Sequence, residues 1–182
     1  MITSSQNLTL YHAGSEVIEH PDLGVCRKQN DFGQGFYLTT SREQADRFVR
    51  TAIRKRGQNL GFGYVNEYVL QGFDGIETLE FASADERWLR CICAYRRSDI
   101  APEDTARWDM YDAIVGKVAN DDTMTTLSIY LLGGYGAYGS SEAVALAVGQ
   151  LKPQRLHDQV CLKSQAAIGR LVWVTSHKVV PS

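Results

Sequence analysis

The segment Asp31-Phe32-Gly33-Gln34-Gly35-Phe36-Tyr37-Leu38-Thr39-Thr40-Ser41 constrains this chain more than any other stretch. Gly33 and Gly35 let the backbone turn sharply and come close to a flat or charged ligand, which side chains at those positions would prevent. The apolar residues that follow start a strand, and Ser41 opens a helix, so turn, strand and helix are compressed into a few residues. Tyr37 begins that strand, where an aromatic face can stack on a ligand ring. Upstream, Leu10-Tyr11-His12-Ala13-Gly14-Ser15 has a similar character: a short apolar strand ends in a histidine and a glycine.

Periodicity predicts the elements around these two motifs. Strands are expected over 8–11 and 35–40. From Ser41, which makes a capping box with Gln44, the apolar residues Ala45, Phe48, Val49, Ala52 and Ile53 fall at helical spacing, predicting a helix that buries all five. Gly57, Gly61 and Gly63 end it, and 64–70 alternates as a strand. A short strand over 77–81 precedes a second capping box, Ser83 with Glu86, and a helix to about 97. Residues 111–119 read as a strand buried on at least one side. A helix begins at 120–122 and carries Met124, Leu127 and Leu131. The glycine and tyrosine stretch 133–139 is a loop, without the Gly-Lys-Ser/Thr end of a phosphate-binding loop. Helices over 141–151 and 164–171 and strands over 159–162 and 172–180 complete the chain. Several connections are too short for crossovers, so the class is α+β with mixed or antiparallel pairing.

Composition narrows the function classes. With 182 residues and 44% hydrophobic content, the chain reads as one domain, 1–182. A net charge of −2 gives no general footprint for nucleic acid, so such a target would need a local basic groove. Cys26, Cys91, Cys93 and Cys161 form no Cys-x-x-Cys pair and are expected to be reduced and mostly buried, while His20, His157 and His177 have no metal spacing. No metal is expected. The N-terminal stretch lacks a basic and apolar leader and no run reaches membrane-spanning length, which predicts a cytoplasmic protein without a membrane partner.

Taken together, Tyr11-His12-Ala13-Gly14-Ser15, then Asp31-Phe32-Gly33-Gln34-Gly35-Phe36-Tyr37-Leu38, then Asp158-Gln159-Val160-Cys161-Leu162 resemble the three signature elements of the ADP-ribosyltransferase superfamily. They resemble most closely a bacterial branch of small uncharacterised domains, the DUF3990 family, and the segment from Asp112 to Asn120 also falls in that branch's order. The resemblance implies two packed, mostly antiparallel sheets with NAD, a substrate, in the cleft between them. It makes His12, Tyr37 and Gln159 the catalytic triad. His12 would bind a ribose hydroxyl, either Ala13 or Gly14 would grip the nicotinamide carboxamide, and Tyr37 would stack on the nicotinamide ring. Gly35, in the glycine turn, is a further NAD-binding position, and Phe48 is spaced from Tyr37 like a second stacking aromatic, with core packing its other reading. Arg27, with Lys28, would meet the pyrophosphate or form a solvated surface pair.

Gln159 stands where the superfamily's best-known transferases have a glutamate. A carboxylate both positions the ribose hydroxyl and stabilises the positive charge that develops as nicotinamide leaves, whereas an amide only positions. Three outcomes stay open: transfer of ADP-ribose to a nucleophile needing no general base, hydrolysis of NAD, or binding of NAD without turnover as a sensor. Glu67, Glu80 and Asp121 are candidates for a carboxylate supplied from elsewhere. The implied activity is that of an NAD-dependent mono-ADP-ribosyltransferase, a toxin-like effector. Its partners would be a macromolecular target, protein or nucleic acid, and a cognate antitoxin.

Overall fold

In the computed structural model, residues 6–55, 61–97, 102–118, 121–151 and 158–180 are described, the side chains of 102–104 and 121–122 excepted. In chain order the elements are β1 (Leu8–Gly14), β2 (Phe36–Thr39), α1 (Arg42–Lys55), β3 (Gly63–Leu70), β4 (Thr78–Glu80), α2 (Glu86–Arg96), α3 (Pro102–Asp109), β5 (Ala113–Lys117), α4 (Asp121–Leu131), α5 (Ser141–Gln150), β6 (Asp158–Leu162), α6 (Gln165–Ile168) and β7 (Leu171–Val179). A 3-10 turn, Leu23–Val25, lies between β1 and β2.

The strands form one seven-stranded sheet in the order β4-β5-β6-β2-β1-β3-β7, with β4 and β5 parallel and every other pair antiparallel. The fold is α+β, but the two packed sheets expected from the sequence are one. The reason lies in β2, whose ladder to β6 (Phe36↔Leu162, Tyr37↔Cys161, Leu38↔Val160, Thr39↔Gln159) joins the two halves edge to edge. On its other side β2 meets β1 at a single register position, Tyr11↔Thr39, whereas β1 pairs with β3 along its whole length. The sheet is therefore least stitched between β1 and β2.

Side-chain alternation separates the sheet's two faces. On one, Leu10, Phe36, Leu38, Tyr68, Leu70, Val115, Val160 and Leu162 pack beneath α6 and the segment between β1 and β2, through Ile18, Leu23 and Cys26. On the other, Ile114 and Cys161 pack against α2, α4 and α5 with Phe32 and Trp88, while Val65 meets Ala45 and Val49 of α1. Glycine makes two of these contacts possible. A Cβ on Gly116 would lie 2.9 Å from the Phe32 ring, and one on Gly35 would lie 2.4 Å from Cys161 Sγ and 2.8 Å from the Leu162 carbonyl.

Local signals placed most helices, with instructive departures. Ser41 Oγ accepts from Gln44 N–H at 3.2 Å, as a cap should, but the Gln44 side chain takes the Thr39 hydroxyl at 2.6 Å instead of closing the box. Phe48 is 66% exposed, not buried; the apolar face of α1 meets the core through Ala45 and Val49, which leaves Phe48 turned outward. The second cap is Asp85, which accepts from Trp88 N–H, and not Ser83; its carboxylate also suits the positive end of a helix. Helix α3 was unforeseen, although Pro102 at its first position is a start signal. The strand expected over 111–119 is shorter, since Tyr111 and Asp112 instead turn into it. Gly57, placed at the end of α1, lies outside the described residues.

The tight seat of Gly35 yields a test. Gly35→Ala is expected to destabilise the protein by about 1–3 kcal/mol in urea unfolding, because the new Cβ meets both the buried Cys161 sulfur and the Leu162 backbone carbonyl, which cannot yield. Gly61→Ala, with nothing within 4 Å, should change stability little.

Candidate functional site

The three motif strands are neighbours, β6-β2-β1, although they come from opposite ends of the chain. At their centre is the turn that precedes β2. Tyr37 closes it: its hydroxyl donates to the Gly33 carbonyl at 2.8 Å and accepts from Phe32 N–H at 2.9 Å. Gly33 has φ 79°, a left-handed conformation that favours glycine, and a Cβ there would lie 2.5 Å from the Tyr95 ring. The Tyr37 ring is half-buried against the helical cluster, and desolvation together with the adjacent Cys161 thiol drives its pKa far up, so it stays a neutral phenol.

Charged groups pin the same turn from two sides. Asp31 is buried and paired with Arg96 of α2, whose Nε donates to Oδ1 at 2.9 Å. Lys163, just beyond β6, donates to the Phe32 carbonyl at 2.6 Å and to the Tyr95 hydroxyl and Asp109 at 3.3 Å each. Tyr95 in turn donates to Asp109 at 2.6 Å. That bond and Lys163 hold the Asp109 carboxyl below its ordinary range against the opposing effect of desolvation.

His12 occupies the parting between β1 and β2. Beyond Tyr11↔Thr39 the next pairing would join Ala13 to Tyr37, but the strands have separated, and the Tyr37 carbonyl instead accepts from His12 Nδ1 at 2.8 Å. The ring stacks on Phe36 at 4.3 Å. Desolvation lowers its pKa below 6.5, with the Tyr37 bond acting weakly the other way, so His12 is neutral at pH 7. With Nδ1 as donor, Nε2 is left as an acceptor. A Cβ on Gly14 would lie 3.3 Å from Nε2, so a side chain there would crowd that nitrogen.

Gln159 is buried on the strand next to Tyr37, and its Nε2 donates to Asp31 Oδ2 at 2.9 Å. Tyr37, Thr39, Gln159 and Cys161 lie on the sheet face covered by α2, while the pleat places His12 on the opposite face with Leu10 and Phe36. The structure thus places Tyr37 and Gln159 on the same face of paired strands and links His12 to them through the Tyr37 backbone. Ala13 packs toward α1, Gly35 abuts Cys161, and Arg27 and Phe48 are exposed. Glu67 stands opposite Tyr11 and faces His177, Glu80 is on the edge strand β4, and the side chain of Asp121 is outside the described residues. The carboxylate that reaches Gln159 is Asp31.

Sequence reasoning passed over Asp31, Arg96, Lys163 and Asn66 as site residues. Asn66, fully buried opposite His12, accepts from Ile18 N–H at 3.0 Å and donates to the Glu16 carbonyl at 3.1 Å, anchoring the chain as it leaves the His12 strand. A polar residue on the core face of a strand was the available signal. All four cysteines are free, and burial pushes the thiols of Cys93 and Cys161 up to about 12. Among the described residues no group of three or more His, Cys, Asp or Glu could hold a metal, and no helix is long and apolar enough to cross a membrane.

The domain is an α+β sheet whose central strands carry a histidine, a turn-closing tyrosine and a carboxylate-bound glutamine. The chain belongs to the DUF3990 family, described as a protein of unknown function, whose family model matches residues 8–173. No curated protein and no solved structure matches it.

Two measurements probe this geometry. Tyr37→Phe removes the hydroxyl that satisfies Phe32 N–H and Gly33 C=O, and is expected to cost about 1–3 kcal/mol in denaturant unfolding. Because the folded pKa of His12 lies below the unfolded value, the unfolded chain takes up a proton first on acidification. The stability His12 contributes is therefore present above pH 6.5 and lost as pH falls below it; His12→Gln should flatten that part of the stability–pH profile.

Proposed function

We propose that this protein is an NAD-dependent mono-ADP-ribosyltransferase that releases nicotinamide. The observation that carries the reading is the adjacency of β6, β2 and β1, which gathers the three motifs that resemble the superfamily's signature into one region. The chemistry of the groups agrees with it. His12 Nε2 is a neutral acceptor suited to a ribose hydroxyl, and Gly14 sets no side chain against it. In the reaction a nucleophile bonds to C1′ of the nicotinamide ribose as the bond to the nicotinamide nitrogen breaks, and the ring leaves with the electron pair as neutral nicotinamide. Gln159 is an amide and takes up no proton, and burial lowers the pKa of His12, so its imidazole is a weak base. Transfer to a nucleophile that needs none, such as a ring nitrogen, phosphate or carboxylate, fits better than activation of a hydroxyl.

A second reading is supported by the engagement of Gln159 with Asp31 and of the Tyr37 hydroxyl with its own turn: a module that binds NAD without cleaving it. Nicotinamide release by purified protein separates the two. The transferase reading expects release stimulated by cell lysate and lowered on the order of 10²-fold in His12→Ala. Stoichiometric NAD binding without release would favour the sensor. As a toxin-like effector, the protein is expected to arrest growth on induced expression, with His12→Ala relieving the arrest; normal growth of the wild-type culture would remove that role in the host used.

A further inference from the structure

The acceptors around Gln159 orient its amide. Nε2 lies 2.9 Å from Asp31 Oδ2 and 3.3 Å from the Lys117 carbonyl oxygen. Both are acceptors only, so a turned amide would set an oxygen against two others, and Nε2 must face them. Oε1 then points away from Asp31, and among the described residues it accepts no hydrogen bond. The other oxygen of Asp31 is taken by Arg96. One chain of charge-assisted bonds thus runs from α2 through the turn to β6.

This arrangement accounts for glutamine at a position where a related site would use glutamate. A glutamate in place of Gln159 would set a second carboxylate within hydrogen-bond distance of Asp31, with one guanidinium between them, and like charges so close disfavour each other's ionised form. We infer that Asp31 and Arg96 are positioning residues that hold Gln159 with Oε1 presented as a neutral acceptor, and that Asp31 occupies the place of the carboxylate absent from position 159. The inference rests on the proposed function only for the group that Oε1 meets, a ribose hydroxyl of NAD.

The test is a double-variant cycle on the full chain with Q159E, D31N and D31N/Q159E, the last exchanging acid and amide across the same hydrogen bond. Melting midpoint is read alongside KM and kcat for nicotinamide release, or Kd for NAD where there is no turnover. Q159E is expected to lower the midpoint by about 5 °C and to weaken NAD binding about tenfold, read in KM or Kd more than in kcat. D31N/Q159E should recover most of both losses. If Q159E does not fold, a folded double variant is the expected result, and an unfolded double variant beside a folded D31N overturns the inference. So do additive effects, or a Q159E protein that is as stable as wild type and more active, since glutamine would then be a lost glutamate. Should wild type neither bind nor cleave NAD, the proposed function falls and the midpoint cycle alone decides: recovery supports the inference and additivity overturns it.

Discussion

The rest of the site depends on the closure of the turn from Asp31 to Tyr37. A backbone that reverses this tightly leaves polar groups that neither strand nor helix can satisfy, and each must find a partner or bear a desolvation cost. Tyr37 serves two of them with one hydroxyl, Lys163 takes the Phe32 carbonyl, and Arg96 holds the Asp31 carboxylate. Gly33 gives the turn its left-handed residue and leaves room for the Tyr95 ring. With the turn closed, Phe32 reaches across Gly116 into the helical core and β2 enters the sheet in register with β6.

That register has a consequence on the other side of β2. β2 holds β6 with four pairs but meets β1 at one, beyond which β1 and β2 separate. The orphaned Tyr37 carbonyl is taken by a side chain, His12, and the imidazole is thereby set in one tautomer, neutral and stacked on Phe36. A gap in a ladder has become a place where a histidine is held with one nitrogen bonded and the other left as an acceptor. Asn66 and Tyr68 secure the chain beyond it through Glu16 and Ile18, so the parting does not fray.

Much of the fold was legible because it was local. Capping side chains, apolar spacing and glycine punctuation act within a few residues, and they located α1, α4, α5 and most strands. What failed depended on distant partners. Phe48 has the right spacing for a buried face, yet the width of that face was decided by the sheet beneath α1. Ser83 and Asp85 are both residue types that cap helices, and the cap is Asp85, beside the buried Ala84. One sheet or two was a question of whether β2 and β6 join, and no window of sequence contains both.

The candidate site divides along the same line. Sequence alone determined the residue types and their order: a histidine before a glycine, a glycine-bounded turn leading to a tyrosine, and a glutamine on a late strand. These are properties of short segments, fixed by backbone sterics and strand period. Tertiary structure alone decided that the three strands are neighbours, that the pleat sets His12 on one face and Tyr37 with Gln159 on the other, and that Asp31 is the carboxylate beside the glutamine. Strand pairing and buried charge are settled by groups remote in the chain, because a hydrogen bond or an ion pair is measured in space and not along the sequence.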